Sequence, residues 1–90
     1  MVVVSMQRRT INLNNSQAPK VQGVVADIMN AVRPYNPLIE TSQDGAILRV
    51  EVLLTTTQDS TLQASMAGWA ARLGLTQLDT HVVAVSAGHA

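Results

Sequence analysis

The sequence has no cysteine and no phenylalanine, and its only aromatic residues are one tryptophan and one tyrosine. Without cysteine, disulfide bonds, thiolate catalysis and cysteine-based metal sites are excluded. The few aromatic residues leave little surface on which nucleic-acid bases could stack, and six basic residues balanced by six acidic ones give no net attraction for phosphate groups. We therefore expect no metal, no other cofactor and no nucleic-acid partner.

Long apolar runs are also missing from the chain. No stretch approaches the ~20 apolar residues that a membrane helix needs. The segment 1–6 is too short for a signal peptide, and Arg8 and Arg9 follow it, whereas a signal peptide carries its basic residues first. These absences predict a protein without a membrane or targeting segment, either cytoplasmic or bound within an assembly.

The chain does contain enough apolar residues for one core. Hydrophobic residues make up 47% of the 90 residues, and the mean hydropathy is +0.16. This length predicts a single domain over residues 1–90. A domain of this size buries only roughly 60% of its unfolded surface, so association with other chains would add stability.

The first third of the chain predicts a strand and then an amphipathic helix. The strand runs from Val2 to Leu13, with apolar residues at even positions up to Met6 and at odd positions from Ile11, so we expect a β-bulge between these two. The helix covers about 16–33, because Pro34 ends it. Its apolar stripe consists of Val21, Val24, Val25, Ile28, Met29 and Val32.

The middle of the chain predicts a hairpin, followed by a second helix and a last strand. Strands over 38–41 and 46–55 flank turn-forming residues at 42–45. A capping box over Ser60–Gln63 predicts the start of the helix, and Gly74 predicts its end. The helix buries Leu62, Met66, Trp69, Ala70 and Leu73, and the last strand covers 78–87.

The predicted order is βαββαβ, which is typical of a ferredoxin-like fold with a four-stranded antiparallel sheet and two helices on one face. The pattern resembles this architecture in general and no family within it. A three-stranded sheet, in which residues 38–39 form a loop, is the alternative. Many unrelated functions use the fold, so function must be argued from sites.

Catalytic residues are hard to find in this sequence. The carboxylates form no paired motif, and Glu51 is expected to form a surface ion pair with Arg8 or Arg9. His81, in the last strand, is the one candidate for a general base or a ligand, but no second ligand stands at a diagnostic spacing. His89 lies next to the C-terminal residue and is expected to be solvated.

Two surfaces are candidates for contact with other chains. Residues opposite the core stripe of the second helix are small and uncharged, namely Ala64, Ala67, Gly68 and Ala71. Glycine in a helix costs roughly 1 kcal/mol, so helix propensity does not explain Gly68, although it does explain the alanines. On the sheet face without helices, Ile47 and Leu53 flank two charged residues and add apolar surface.

These features predict a non-catalytic, oligomer-forming structural or protein-interaction subunit of a particle, filament or secretion-type machine. Two alternatives remain. One is a regulatory domain that binds a metabolite at a dimer interface, for which the loop at 14–16 would supply hydrogen bonds. The other is an enzyme formed by a dimeric α+β barrel that uses His81.

Overall fold

The computed structural model describes residues 5–14 and 18–85, and its elements follow the predicted order βαββαβ. The strands are β1 (Met6–Asn14), β2 (Ile39–Asp44), β3 (Ile47–Thr55) and β4 (Asp79–Val85). The helices are α1 (Ala18–Val32) and α2 (Thr56–Arg72), and a short 3-10 helix (Arg33–Tyr35) follows α1.

The strands form one antiparallel sheet in the order β2-β3-β1-β4. Ile11 of β1 and Val50 of β3 lie opposite each other and belong to the same core cluster as residues of both helices. Both helices therefore pack on one face of the sheet. The fold is ferredoxin-like, as predicted, and the three-stranded alternative is wrong because β2 is paired over its whole length with β3.

The apolar core lies between the sheet and the two helices, and it contains most of the two predicted stripes; Val25 and Met66 are only partly buried against it, and Met29 is not part of it. From α1 and α2 it buries Val21, Val24, Ile28, Val32, Leu62, Trp69 and Ala70, with Leu73 just beyond α2. From the sheet it buries Ile11, Leu13, Val50, Val52 and Leu54. The alternating residues of β3 therefore face the core as predicted.

Strand β1 has no bulge between Met6 and its last residue, so that prediction is wrong. The residues of β1 pair one for one with those of β3 along the whole strand. The prediction assumed that every position facing the helices is apolar. Arg9 instead occupies such a position, two residues before Ile11, and is only 5% exposed. Residues 2–4, which were also predicted to belong to this strand, lie outside the described residues.

The hairpin turn is shorter than predicted. The two strands pair as far as Asp44 opposite Ile47, so the turn consists of Gly45 and Ala46 alone. Gly45 has a φ of 60°, and glycine with positive φ at the first of two turn residues is typical of a type II′ hairpin. Residues 42–44 therefore belong to β2 and not to the turn.

Helix α2 begins five residues earlier than predicted, with its N-cap at Thr55 and not at Ser60. Thr55 is its N-cap, since the threonine hydroxyl accepts a hydrogen bond from the Gln58 backbone N–H at 3.1 Å and the Gln58 side chain accepts one from the Thr55 N–H at 3.0 Å. Ser60 lies inside the helix and donates its hydroxyl to the Thr56 carbonyl. The end of the helix is confirmed, because Gly74 has a φ of 72° and follows the C-cap residue Leu73.

The remaining boundaries agree with the predictions to within a few residues. Helix α1 was predicted over 16–33, and the last strand was predicted over 78–87. Residues 15–17 and 86–90, which include His89, lie outside the described residues. Neither helix in the described part of the chain is long and apolar enough to cross a membrane.

Candidate interaction surfaces

The side of helix α2 that points away from the sheet is built from small residues. Ala64, Ala67, Gly68 and Ala71 are all exposed, and spacings of three and four residues place them on one side of the helix. The structure therefore brings these four predicted residues together on one surface, which we call the α2 face.

Helix α2 has two charged residues, and both are bound within the chain. Asp59 is 1% exposed and accepts hydrogen bonds from Arg9. Arg72, at the other end of the helix, forms an ion pair with Asp27 of α1. Because a solvated helix surface normally carries charged residues, the α2 face is unusual in presenting none.

Gly68 has no packing role within the described chain. A Cβ atom added to Gly68 would meet no other atom within 4 Å, whereas a Cβ atom added to Gly23 would lie 3.0 Å from Nη2 of Arg72. Gly23 therefore lies beside the Arg72 side chain that joins the two helices, whereas no side chain of the described residues lies beside Gly68.

The largest feature that the sequence analysis missed is a buried ion pair between β1 and α2. Arg9 donates from Nε to Oδ1 of Asp59 at 2.8 Å and from Nη2 to Oδ2 at 2.7 Å, which is a bidentate geometry. Both side chains are almost fully buried. The hydrogen bond from Arg9 holds the pKa of the Asp59 carboxyl below its usual value, against the opposing effect of burial.

Further hydrogen bonds complete this buried network. The Gln63 side chain donates to Oδ2 of Asp59 at 2.9 Å, and Nη1 of Arg9 donates to the Thr80 hydroxyl at 3.3 Å. The Thr80 hydroxyl in turn donates to the Thr10 carbonyl at 2.6 Å. The network therefore links α2, β1 and β4. Its carboxylate is already paired, which suits a structural role and not a catalytic base.

The open face, which is the side of the sheet without helices, holds the other two predicted contact residues. Ile47 and Leu53 are both partly exposed on this face. Arg49 and Glu51 lie between them along β3, and Glu51 forms the expected ion pair with Arg8 at 3.9 Å. Ile47 and Leu53 are therefore separated by charged side chains, and both lie across the sheet from the α2 face.

Two shallow depressions lie on the open face, and they share Arg8 and Glu51. One has a volume of about 310 Å³ and reaches Leu38 at the sheet edge, and the other has a volume of about 320 Å³ and reaches His81. His81 is exposed and lies opposite Thr10 of β1. Within residues 5–14 and 18–85, no three metal-ligating side chains lie together.

The free edge of β4 is a further surface, which the sequence analysis did not predict. Five of its seven residues are exposed, and none of the seven is fully buried. Val82 is 39% exposed on the helix side of the sheet, and Val83 is 52% exposed on the open face. This strand therefore presents apolar side chains on both faces of the sheet edge.

Comparisons with known proteins support the fold and leave function open. No protein-family model matches the chain, and no curated protein matches its sequence. Among solved structures, it is similar to the de novo designed protein Ferredog-Diesel, with a TM-score of 0.66 at 15% identity over 92% of this chain and 88% of that one. It is also similar to the C-terminal domain of the MgtC protein from Mycobacterium tuberculosis, with a TM-score of 0.56 at 12% identity over 97% and 94%. At such identities, the likeness concerns the fold alone.

Proposed function

We propose that this chain is a non-catalytic, oligomer-forming interaction subunit of a larger assembly, and that the α2 face is one of its contacts. The observation that carries the proposal is the uncharged α2 face with a glycine at its centre. Both charged residues of the helix are bound within the chain, and nothing in the described residues packs against Gly68.

Close approach of another chain would account for this composition. Small side chains let two backbones come near each other, and the packing energy then grows with the number of atoms in contact. Glycine lowers the stability of an isolated helix, but at a contact it lets the backbone of another chain come close. The open face contributes less to the proposal, because charged residues separate Ile47 from Leu53.

The metabolite-binding and enzymatic alternatives have less support. Binding sites for small molecules are usually concave and mostly apolar. The two depressions on the open face are shallow, and charged side chains line both of them. His81, the candidate base, is an exposed strand residue at the rim of one depression.

The test of the proposal is the double substitution Ala67→Lys with Ala71→Lys. Lysine is nearly as good a helix former as alanine, so on an exposed helix each change should alter the free energy of unfolding by at most about 0.5 kcal/mol. In a close contact, two long charged side chains would prevent the chains from meeting. We expect the variant to stay folded by circular dichroism and to have a smaller mass in solution than the parent.

The matched control is Thr61→Lys with Ser65→Lys. These positions have the same spacing and are exposed on the same helix, about 120° around its axis from Ala67 and Ala71, the two residues that the test variant changes. The control should keep the mass of the parent. A second variant, Gly68→Ala, adds one methyl group and should weaken association while slightly stabilising the monomer. Unchanged association of both the lysine variant and Gly68→Ala would contradict the proposal.

A further inference from the structure

We infer that β4 pairs antiparallel with β4 of a second copy of this chain, centred on Val82, and joins two sheets into one of eight strands. This contact uses the sheet edge and is separate from the α2 face. Either contact can form without the other.

The two edges of the sheet differ in how they resist pairing. Edge strands are usually protected by charged residues, proline or short length. β2 has six residues, follows Pro37 closely and exposes Glu40 and Asp44. β4 has seven residues, no lysine, arginine or proline, and a single carboxylate at its first position, Asp79. β4 is therefore less protected against pairing with another strand than β2 is.

The apolar residues of β4 point to a partner strand that covers both faces. Val82 and Val83 are two of only four large hydrophobic residues that the described part of the chain exposes strongly. They are adjacent in the sequence, so they point to opposite faces of the sheet. A helix or loop docked on one face would cover one of them. A strand added to the edge would contact both and would also satisfy the outward backbone groups.

Symmetry and charge favour a second copy as the partner strand. A two-fold axis perpendicular to the sheet at Val82 places this residue opposite its own copy and places His81 opposite Val83. The two copies of Asp79 then lie opposite Val85, about 20 Å apart at 3.4 Å per residue, so they do not repel each other strongly. The apolar residues at the centre of the strand meet each other, and the acidic residues stay at the ends.

Pairing of β4 with β2 of another copy is less favourable. That arrangement would bring three carboxylates, Asp79, Glu40 and Asp44, to one interface where neither strand carries a lysine or an arginine. It would also leave a free edge at each end and so produce an open filament. The symmetric pairing closes after two chains.

A single introduced cysteine tests this inference directly, because the chain has no cysteine of its own. In the full chain carrying Val82→Cys, the two thiols would face each other across the axis. We expect a short bismaleimide reagent to link this variant into a covalent dimer. The matched control is Thr41→Cys, which is exposed on the helix side of the other edge strand, β2, and should give no covalently linked dimer on a denaturing gel after the same treatment.

Lysine substitution provides the second measurement. Val83→Lys places a charge at the edge of the open face, where an isolated chain tolerates it. In a chain that also carries Ala67→Lys and Ala71→Lys, we expect Val83→Lys to lower the mass in solution from that of two β4-paired chains to that of one, with an unchanged circular dichroism spectrum. The inference would be overturned if the Thr41→Cys and Val82→Cys variants were linked equally, or if only the β2 variant were linked. It would also be overturned if the parent stayed monomeric at the highest concentration. Linking at β4 in a chain that also carries Ala67→Lys and Ala71→Lys would support it independently of the α2 face.

Discussion

Arg9 and Asp59 fix the position of helix α2 on the sheet. A charge is buried at a modest cost only when its partner is present with good geometry, and here two short hydrogen bonds join the pair. Gln63 and Thr80 occupy further bonding positions of the two groups. In the described residues, no buried side-chain nitrogen or oxygen lacks a hydrogen-bond partner. The network therefore favours one register of α2 against β1.

Removal of one member of this pair should be strongly destabilising. In Asp59→Asn, the guanidinium of Arg9 stays buried without a counter-charge, and we expect the free energy of unfolding to fall by about 3–5 kcal/mol. Urea denaturation followed by circular dichroism measures this loss. The control is Arg9→Met with Asp59→Leu, which removes both charges and keeps apolar volume, and it should lose far less. If the free energy of unfolding fell equally in the two variants, the ion pair would not be the reason that Asp59 stabilises the fold.

At the scale of elements, the N-terminus of helix α2 gives a clear prediction. Thr55→Ala removes the side chain that caps the helix and should lower the free energy of unfolding by about 1 kcal/mol. Ser60→Ala removes a hydroxyl that bonds inside the helix and should change it much less. Chemical denaturation of the two variants measures both values. A larger loss of unfolding free energy in Ser60→Ala than in Thr55→Ala would indicate that the helix starts at Ser60.

The sequence could identify both α-helices and all four strands, but it could not choose between two starts for α2. Periodicity distinguishes helix from strand, and it was sufficient for the core stripes and for the order of elements. Thr55–Gln58 and Ser60–Gln63 are both capping-box patterns, and local sequence does not rank them. The start at Thr55 places Asp59 inside the helix, where its carboxylate binds Arg9, which is 50 residues away in the chain. This tertiary contact decides between the two starts.

The features of the sheet that the sequence did not predict also depend on contacts between residues that are distant in the chain. The bulge was predicted because the apolar residues change from even to odd positions between Met6 and Ile11, whereas in the fold Arg9 takes an odd position that faces the helices and is held there by Asp59. The α2 face could be predicted from helical spacing alone. The separation of Ile47 from Leu53 by two charged residues was visible in the sequence, but the β4 edge was not, since edge position depends on the strand order of the folded sheet.

For the molecule as a whole, association and stability should be coupled. A chain of 90 residues has a small core, so any contact formed only by folded chains adds a large fraction of its stability. The proposed contacts lie on α2 and at the β4 edge, and the network from Asp59 through Arg9 to Thr80 connects these two elements. A rigid link of this kind would hold both surfaces in a fixed relation within an assembly.

The unfolding temperature of the parent should therefore rise with protein concentration. For a dimer that unfolds to separate chains, each tenfold increase in concentration adds about 1.4 kcal/mol per dimer, which corresponds to roughly 3–6 °C for a chain of this size. Scanning calorimetry over a hundredfold range of concentration measures the shift. A chain carrying Val83→Lys, Ala67→Lys and Ala71→Lys should unfold at one temperature throughout, because it has lost both contacts. If the parent also unfolds at a concentration-independent temperature, the proposed contacts between copies of this chain do not form.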